Sequence, residues 1–575
     1  MKQLFFVLVV PLLAFAFIFG TIDEKKYPQN YFRSPVNHSI RLAGTFGELR
    51  PNHFHSGIDV KSSNGKTGNP VFAPADGYLA RVKVQVGGFG KALYIRHPNG
   101  YTTVYAHLKQ FTPEVEAYVK KAQYRRQSFT VDLFPEVNLF SFKKNDQIAV
   151  MGNTGSSQGP HLHFEIRNSR TEKPINPLLF GFQMADHRAP QMYQLKVYYL
   201  NEKGETLQTK IYNLSHAGGH YRIEGDTLTL GAWRVGFALK AYDHHDNVSN
   251  LNGIYSLKML QDDSLVYDFD FESFSFGETR YINAHCDYEE RVTKKSYFNR
   301  CYSLPGNKLS IYGKKVNQGI IKLYKSRADK ISMIAADANG NSSELEFWIK
   351  RGEVVQSIRP PYNYFLSYKE ENVIDKPSLY LHFPKGAFYE NLYMKYESIL
   401  ENTSEYYSEI HRVHDFKTPV QKYFDIGIVP TVYIPEEKKK KAFVGYCDTN
   451  GTLISYGGRW KEGKLFAKSR ALGDYCILID DVRPTIQPII FQKNMKGFSK
   501  MAFKISDNFP TAGKAKSPTY KATVDDHWIL MEFDGKKDLL THRFDERIGP
   551  GEHHLKLVVT DDRGNRRVFE RTFLR

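Results

Sequence analysis

Cysteine is scarce. The 575-residue chain holds four, Cys286, Cys301, Cys447 and Cys476, at spacings that exclude a Cys-x-x-Cys zinc knuckle. His-Glu-x-x-His is absent, which excludes a helix-borne metal site of that kind. Beyond the apolar run from Leu4 to Phe19, no stretch supplies the roughly 20 apolar residues of a spanning helix. No Gly-Lys-Ser/Thr follows Gly87-Gly88-Phe89-Gly90, so a phosphate loop has little support there. Acidic residues are the minority: 62 against 79 lysines and arginines, a net charge of +17. That excess favours polyanionic surroundings, whether nucleic acid, anionic lipid or anionic cell-wall polymer.

Aromatics are plentiful. The 37 tyrosines and 40 phenylalanines favour β structure over helix bundles. The length suits roughly four domains of about 150 residues each. Met1-Lys2, the apolar run and the polar stretch from Thr21 have the layout of a secretory signal, residues 1–20. Export to the periplasm or cell envelope is therefore expected, with an uncleaved N-terminal membrane anchor as the alternative. No cysteine near the exit supports lipid attachment there. Export argues against nucleic acid as a partner and permits disulfides. The order of the cysteines suggests Cys286–Cys301 and Cys447–Cys476, with free buried thiols as the alternative.

The expected fold class is mainly β: an antiparallel β domain followed by immunoglobulin-like β-sandwich modules. Residues 21–43 read as an extended lead-in, and 44–185 as the domain that carries the chemistry. Residues 186–350 and 481–575 read as sandwich modules, 351–362 as a linker and 363–480 as a further β-rich module with a helix around Asn391–Ser398. Alternating runs at Tyr193–Tyr199, Phe237–Tyr242, Ile331–Ala336 and Leu555–Thr560 support the sandwich reading. Three of these runs end in acidic turns, Asp243–Asn247, Asp337–Asn341 and Asp561–Asn565. These are read as Asx turns, with calcium binding as the minority alternative. Asp481-Val482-Arg483-Pro484 echoes Asp186–Pro190.

The chemistry gathers in the first domain. His161 and His163 sit two apart in a strand-like run, so both project from one face. Taken alone they are as well explained as ordinary strand residues. His55 and Asp59 would lie about 13 Å apart on a straight strand, so a bend at Ser56-Gly57 is needed to bring them to one ion. Imidazole and carboxylate are both zinc donors. His53 is read as a rim residue. His107, near the end of the strand from Tyr101, is in phase with Thr103 and Tyr105. The basic stretch Lys120–Arg126 is read as a solvated face, with contact to anionic glycan as the minority reading.

His55-x-x-x-Asp59, Tyr105-Ala106-His107-Leu108 and Gly155-x-x-x-Gly159-Pro160-His161-Leu162-His163-Phe164-Glu165 occur in that order. With Pro74-Ala75-Asp76-Gly77, the set closely resembles the M23 family of zinc metallopeptidases, the lysostaphin/LytM-like class, over roughly residues 44–180. The resemblance implies a small antiparallel β fold with one zinc ion in an open groove. It implies His55, Asp59 and His163 as zinc ligands, and His107 and His161 as the catalytic pair, base and oxyanion donor in unassigned order. Three protein ligands leave a fourth position for water, the mark of a catalytic zinc site. Glu165 shares the phase of His163 and reads equally as its supporting partner or as a surface carboxylate.

The substrate implied is the peptide of peptidoglycan, in its cross-links or stems, cleaved for cell-wall remodelling. A non-enzymatic envelope scaffold or hydrolase activator, and a peptidase acting on protein, are the alternatives. The C-terminal β modules would position the enzyme or bind other envelope proteins. Residues 109–145 are longer than the family's usual connection and are expected to wall one end of the groove.

Overall fold

The structure, a computed structural model, describes residues 26–246, 248–356, 360–400 and 405–575. The expected signal, residues 1–20, lies outside these residues. The chain is mainly β, as expected. Among the described residues, no helix is long and apolar enough to cross a membrane.

The first domain is built on an antiparallel sheet. Its main path uses β1 (Leu42–Gly44), β2 (Ile58–Lys61), β3 (Gly77–Val84), β4 (Lys91–Arg96), β5 (Tyr101–Ala106), β6 (Val131–Leu133) and β7 (His161–Asn168), in the order β1-β2-β7-β5-β4-β3-β6. Alternation decides the faces. Ile58 and Val60 of β2, Tyr105 of β5, and Leu162, Phe164 and Ile166 of β7 point into one core. Asp59, Ala106 and His163 share the opposite face, because register pairs His163 with Asp59 on one side and Ala106 on the other. The Pro98-Asn99-Gly100 turn joins β4 to β5 as a hairpin. The strands on either side of Asp76-Gly77 belong to different sheets, so that turn is a corner between layers.

The lead-in is part of this domain's packing. Phe32, Val36 and Ile40 are buried in the same core. The backbone there is tied down by Arg33 N–H to Pro74 O (3.0 Å) and Phe72 N–H to Pro35 O (2.9 Å).

Residues 109–145 form α1 (Pro113–Arg126) and short strands. Pro113 opens α1, acidic Glu114 and Glu116 lie in its first turn, and Arg125 and Arg126 in its last. Its basic end is not simply solvated. Lys120 pairs with Asp545 (2.6 Å), and the Tyr124 ring meets Trp528 edge-on under the Arg547 guanidinium. The insertion is thus a platform for the last module.

Residues 191–351 form two sheets around Leu195, Phe237, Met333 and Phe347. Phe46 and Phe54 of the first domain belong to that same core, with Phe54 against Phe271 (5.3 Å between centroids) and Phe46 against Phe274 (5.1 Å). Residues 364–479 hold two five-stranded sheets around Phe424, Ile426 and Ile477. Residues 485–574 hold two four-stranded sheets around Phe503, Leu540 and Leu557. The helix expected around Asn391–Ser398 is instead two strands, Leu392–Met394 and Tyr396–Ile399. Leu392, Met394 and Tyr396 alternate inward, a period of two that a helix would break. His411 is likewise on a strand, buried against the Tyr396 hydroxyl (2.9 Å).

All four cysteines are free. Gly445 faces Cys476 and Cys447 faces Asp474, so the second pair lies diagonally across its ladder. Cys286 bridges Asn299, two residues short of Cys301. Diagonal neighbours stand about 7–8 Å apart, beyond the usual reach of a disulfide.

His285 lies beneath the shared aromatic core, edge-on to Phe54 and Phe269. Burial pushes its imidazole down to about 4, against about 6.5 when unfolded. Between these values the unfolded chain takes a proton that the folded chain refuses. Its contribution is complete above about pH 6.5 and lost as pH falls through 4, a change on the order of 3 kcal/mol. The melting temperature should fall more steeply over this window in the native chain than in His285→Gln. Parallel profiles would show that this imidazole does not govern acid stability.

Candidate functional site

Three donors converge on the open face of the sheet. His55 Nε2 and His163 Nδ1 each lie 3.0 Å from Asp59 Oδ1 and 3.0 Å from one another. Asp59 and His163 arrive on adjacent strands in direct register. His55 arrives by the bend at Ser56-Gly57. There the backbone passes so close to β7 that a Cβ on Gly57 would lie 2.3 Å from the Phe164 carbonyl oxygen. The shared core grips the preceding residue, Phe54, so the second domain helps to place His55.

The outward atoms of these donors are held. His55 Nδ1 faces the Thr45 carbonyl (2.7 Å), and His163 Nε2 faces Glu165 Oε1 (2.9 Å). Arg50 donates to the second oxygen of Asp59 (3.2 Å). Burial opposes charge on Asp59, yet His55, His161 and His163 hold its carboxyl well below the usual range. Burial also opposes charge on His163, but Asp59 and Glu165 raise its imidazole to about 9. The pocket therefore favours a positive charge between its carboxylates. Mixed imidazole and carboxylate donors, with outer nitrogens fixed by hydrogen bonds, suit a zinc ion.

Two further imidazoles flank the cluster. His161 Nε2 lies 3.4 Å from Asp59 Oδ1, with its Nδ1 toward the Gly159 carbonyl (2.9 Å). His107 and His161 stand edge to face, 4.8 Å between centroids. In phase with Tyr105, His107 would point into the core. Its φ of 60° breaks the alternation and swings the ring to the face of His163, 5.9 Å away. Such backbone is uncommon outside glycine and costs roughly 1–3 kcal/mol. Burial, reinforced by the His163 and His161 imidazoles, pushes His107 down to about 3, leaving it neutral. Its Nδ1 donates to the Thr154 carbonyl (2.9 Å), which leaves Nε2 as the acceptor.

The surface reading of Glu165 does not survive. It is fully buried and bonds Ser56 Oγ, His163 and Arg167. His53 is exposed and bonds the Pro51 carbonyl, outside the donor cluster. Sequence reasoning missed Phe89, whose ring lies 5.0 Å from that of His163, although its glycine-rich loop was visible. It also missed Arg50, Thr45 and Lys536. Lys536 reaches from the last module to donate to the Asn153 and Ser157 carbonyls (2.6 and 2.8 Å), on the loop leading to His161.

Comparisons with known proteins bear on the first domain and on the module at 363–480. The profile described as "Peptidase family M23" matches residues 53–124, and "Zu5-like domain" matches residues 363–480. An "Uncharacterized metalloprotease" of Haemophilus influenzae is 37% identical over 27% of this chain and 27% of its own length. The "DD-carboxypeptidase/endopeptidase Mpg" of Neisseria meningitidis is 33% identical over 26% of this chain and 25% of its own. The "Murein hydrolase activator NlpD" of Escherichia coli is 29% identical over 24% and 29%. The chain thus spans under a third of the length of these relatives. The first domain of this chain belongs to peptidase family M23, and β modules follow it.

Proposed function

We propose that this chain is a zinc-dependent metalloendopeptidase that hydrolyses peptide bonds in peptidoglycan cross-links or stem peptides during cell-wall remodelling. His55, Asp59 and His163 would hold one zinc ion. When bound, zinc supplies Lewis acidity and a lowered pKa for water. The chain's own residues do the rest. Thr45, Glu165 and Arg50 keep the three donors aimed inward. His107 and His161, each tied by Nδ1 to a backbone carbonyl, present Nε2 toward the reacting space. Either Nε2 can accept the proton of the attacking water, and an imidazole protonated there can donate that N–H to the developing oxyanion. The observation that carries this reading is the set of three converging donors with two further imidazoles beside them.

A net charge of +17 suits an anionic wall polymer. The proposed location is the periplasm or cell envelope, reached through residues 1–20 or held there by them as an anchor. The β modules would position the domain or bind envelope proteins. Lys536, lying across the loop before His161, favours a second reading: a site held by the last module, acting as activator of another wall hydrolase. Digestion of purified peptidoglycan separates them. The full chain loaded with zinc should release new peptide ends, and a chelator should stop it. No cleavage by the zinc-loaded chain would sink the enzymatic reading.

A further inference from the structure

Two of the β modules carry the same acidic corner, and the two corners are filled differently. In residues 186–351 the corner is Asp186, Asp243 and Asp337. In the last module it is Asp480, Asp507 and Asp561. The equivalence is close. Asp186 and Asp480 each precede a proline by four residues. Asn341 Nδ2 donates to the Asp186 carbonyl (3.2 Å), as Asn565 Nδ2 donates to that of Asp480 (2.9 Å). Asp337 Oδ1 accepts from Asn339 and Asn341 N–H, as Asp561 Oδ1 accepts from Arg563 and Asn565 N–H.

In the first corner an imidazole fills the middle. His245 Nδ1 is 3.0 Å from Asp186 Oδ2, and its Nε2 is 3.4 Å from Asp243 Oδ2. Two residues after Asp507, the position matching His245 is Phe509, which packs on Phe443. The last module therefore keeps the carboxylates and lacks the imidazole.

The Asx turns use only one oxygen of Asp480 and of Asp561. Asp480 Oδ2, both oxygens of Asp507, Asp561 Oδ2 and Asp562 Oδ1 are buried with no hydrogen-bond partner among the described residues. Asp480 is 1% exposed and Asp561 6%. One ligand oxygen from each of Asp480, Asp507 and Asp561 falls within 4.8 Å of the others. Arg563 does not resolve this, since it pairs with the other oxygen of Asp562 (3.2 Å) and with the Ala442 carbonyl. Buried acceptors without partners are costly.

We propose that Asp480, Asp507 and Asp561, with Asp562 beside them, form a calcium site at the junction of the 363–480 module and the last module. Carboxylate oxygens alone are the donors of a hard cation, and calcium takes six to eight of them in flexible geometry, water completing the set. Asp480 follows the final strand of one module, Gly473–Ile479, whereas the other three belong to the next. Bound calcium would fix the angle between them, and hence the pose of the module that carries Lys536 onto the loop before His161. The site stands apart from the histidine cluster and would exist whether or not that cluster is catalytic.

The test uses the full chain and calcium chloride. Extracellular modules bind calcium at about 10⁻⁴–10⁻³ M, so about 5 mM should saturate. A saturable rise in melting temperature of about 3 °C is expected, with heat of binding by calorimetry. Asp507→Asn should abolish both and still fold, because neither of its oxygens holds the backbone. Asp243→Asn, in the corner that His245 fills, should leave both intact. The proposal is overturned if native protein shows no calcium response, if Asp507→Asn keeps it, if Asp243→Asn removes it, or if magnesium acts equally.

Discussion

His163→Ala should lose its metal and its activity together, whereas His161→Ala and His107→Ala should keep the metal and lose turnover. The division follows from position. His163 is buried in mid-strand, bonded on one side to Glu165, and its other nitrogen meets Asp59 and His55 at 3.0 Å. His161 and His107 flank the donors and are tied to loop carbonyls, so their loss leaves the three donors in place. Removing a positioned acid–base group costs about 10²–10⁴-fold in rate. Metal content of purified protein and single-turnover cleavage of peptidoglycan read the two effects separately. Normal metal content in all three variants would refute the assignment of ligands. Metal loss in His161→Ala would move that residue into the donor set.

Glu165→Gln should weaken metal binding about 10–100-fold, the usual cost of losing the partner that orients a metal-bound histidine. It should also destabilise the fold by about 3–5 kcal/mol, the effect of breaking a buried ion pair. Burial opposes charge on Glu165, but Arg167 and then His163 hold its carboxyl down at about 2. Neutralising it leaves Arg167 without the carboxylate 2.6 Å away. The two effects can be separated. Glu165→Gln/Arg167→Gln should recover stability, because no buried charge is left alone, but not metal affinity, because His163 still lacks its anionic partner. Chelator competition and thermal melts measure them. Unchanged metal affinity in the single variant would show that Glu165 only supports the fold.

Much of the site was legible because its signals are local. His161 and His163 share a strand face by alternation, and the bend at Ser56-Gly57 was demanded by a separation too long for one ion. The sandwich strands were legible for the same reason, as alternating runs closed by turns. Elsewhere local pattern misled. Residues 391–398 offered helix length without helix period, and only pairing with Tyr364–Leu366 and with Ile410–Val413 makes them sheet. His107 followed its strand's phase on paper, and its own left-handed backbone, which turns the ring toward the donor face, leaves no mark in composition.

The sequence by itself determined the mainly β class, and its resemblance to the M23 family supplied the five residues of the candidate site and their order along the chain. Spacing within a strand sets which side chains share a face, whatever lies beyond it. Tertiary structure alone decided what surrounds them. Phe54 and Phe271 are 217 positions apart, and Lys536 is 379 beyond Ser157, so no local rule connects them. It also decided that Glu165 is buried, that the cysteines stand diagonally and unjoined, and that one acidic corner holds an imidazole while its counterpart leaves five carboxylate oxygens without hydrogen-bond partners among the described residues. Each of these depends on which surfaces meet, and that is settled by packing between segments rather than by periodicity within one.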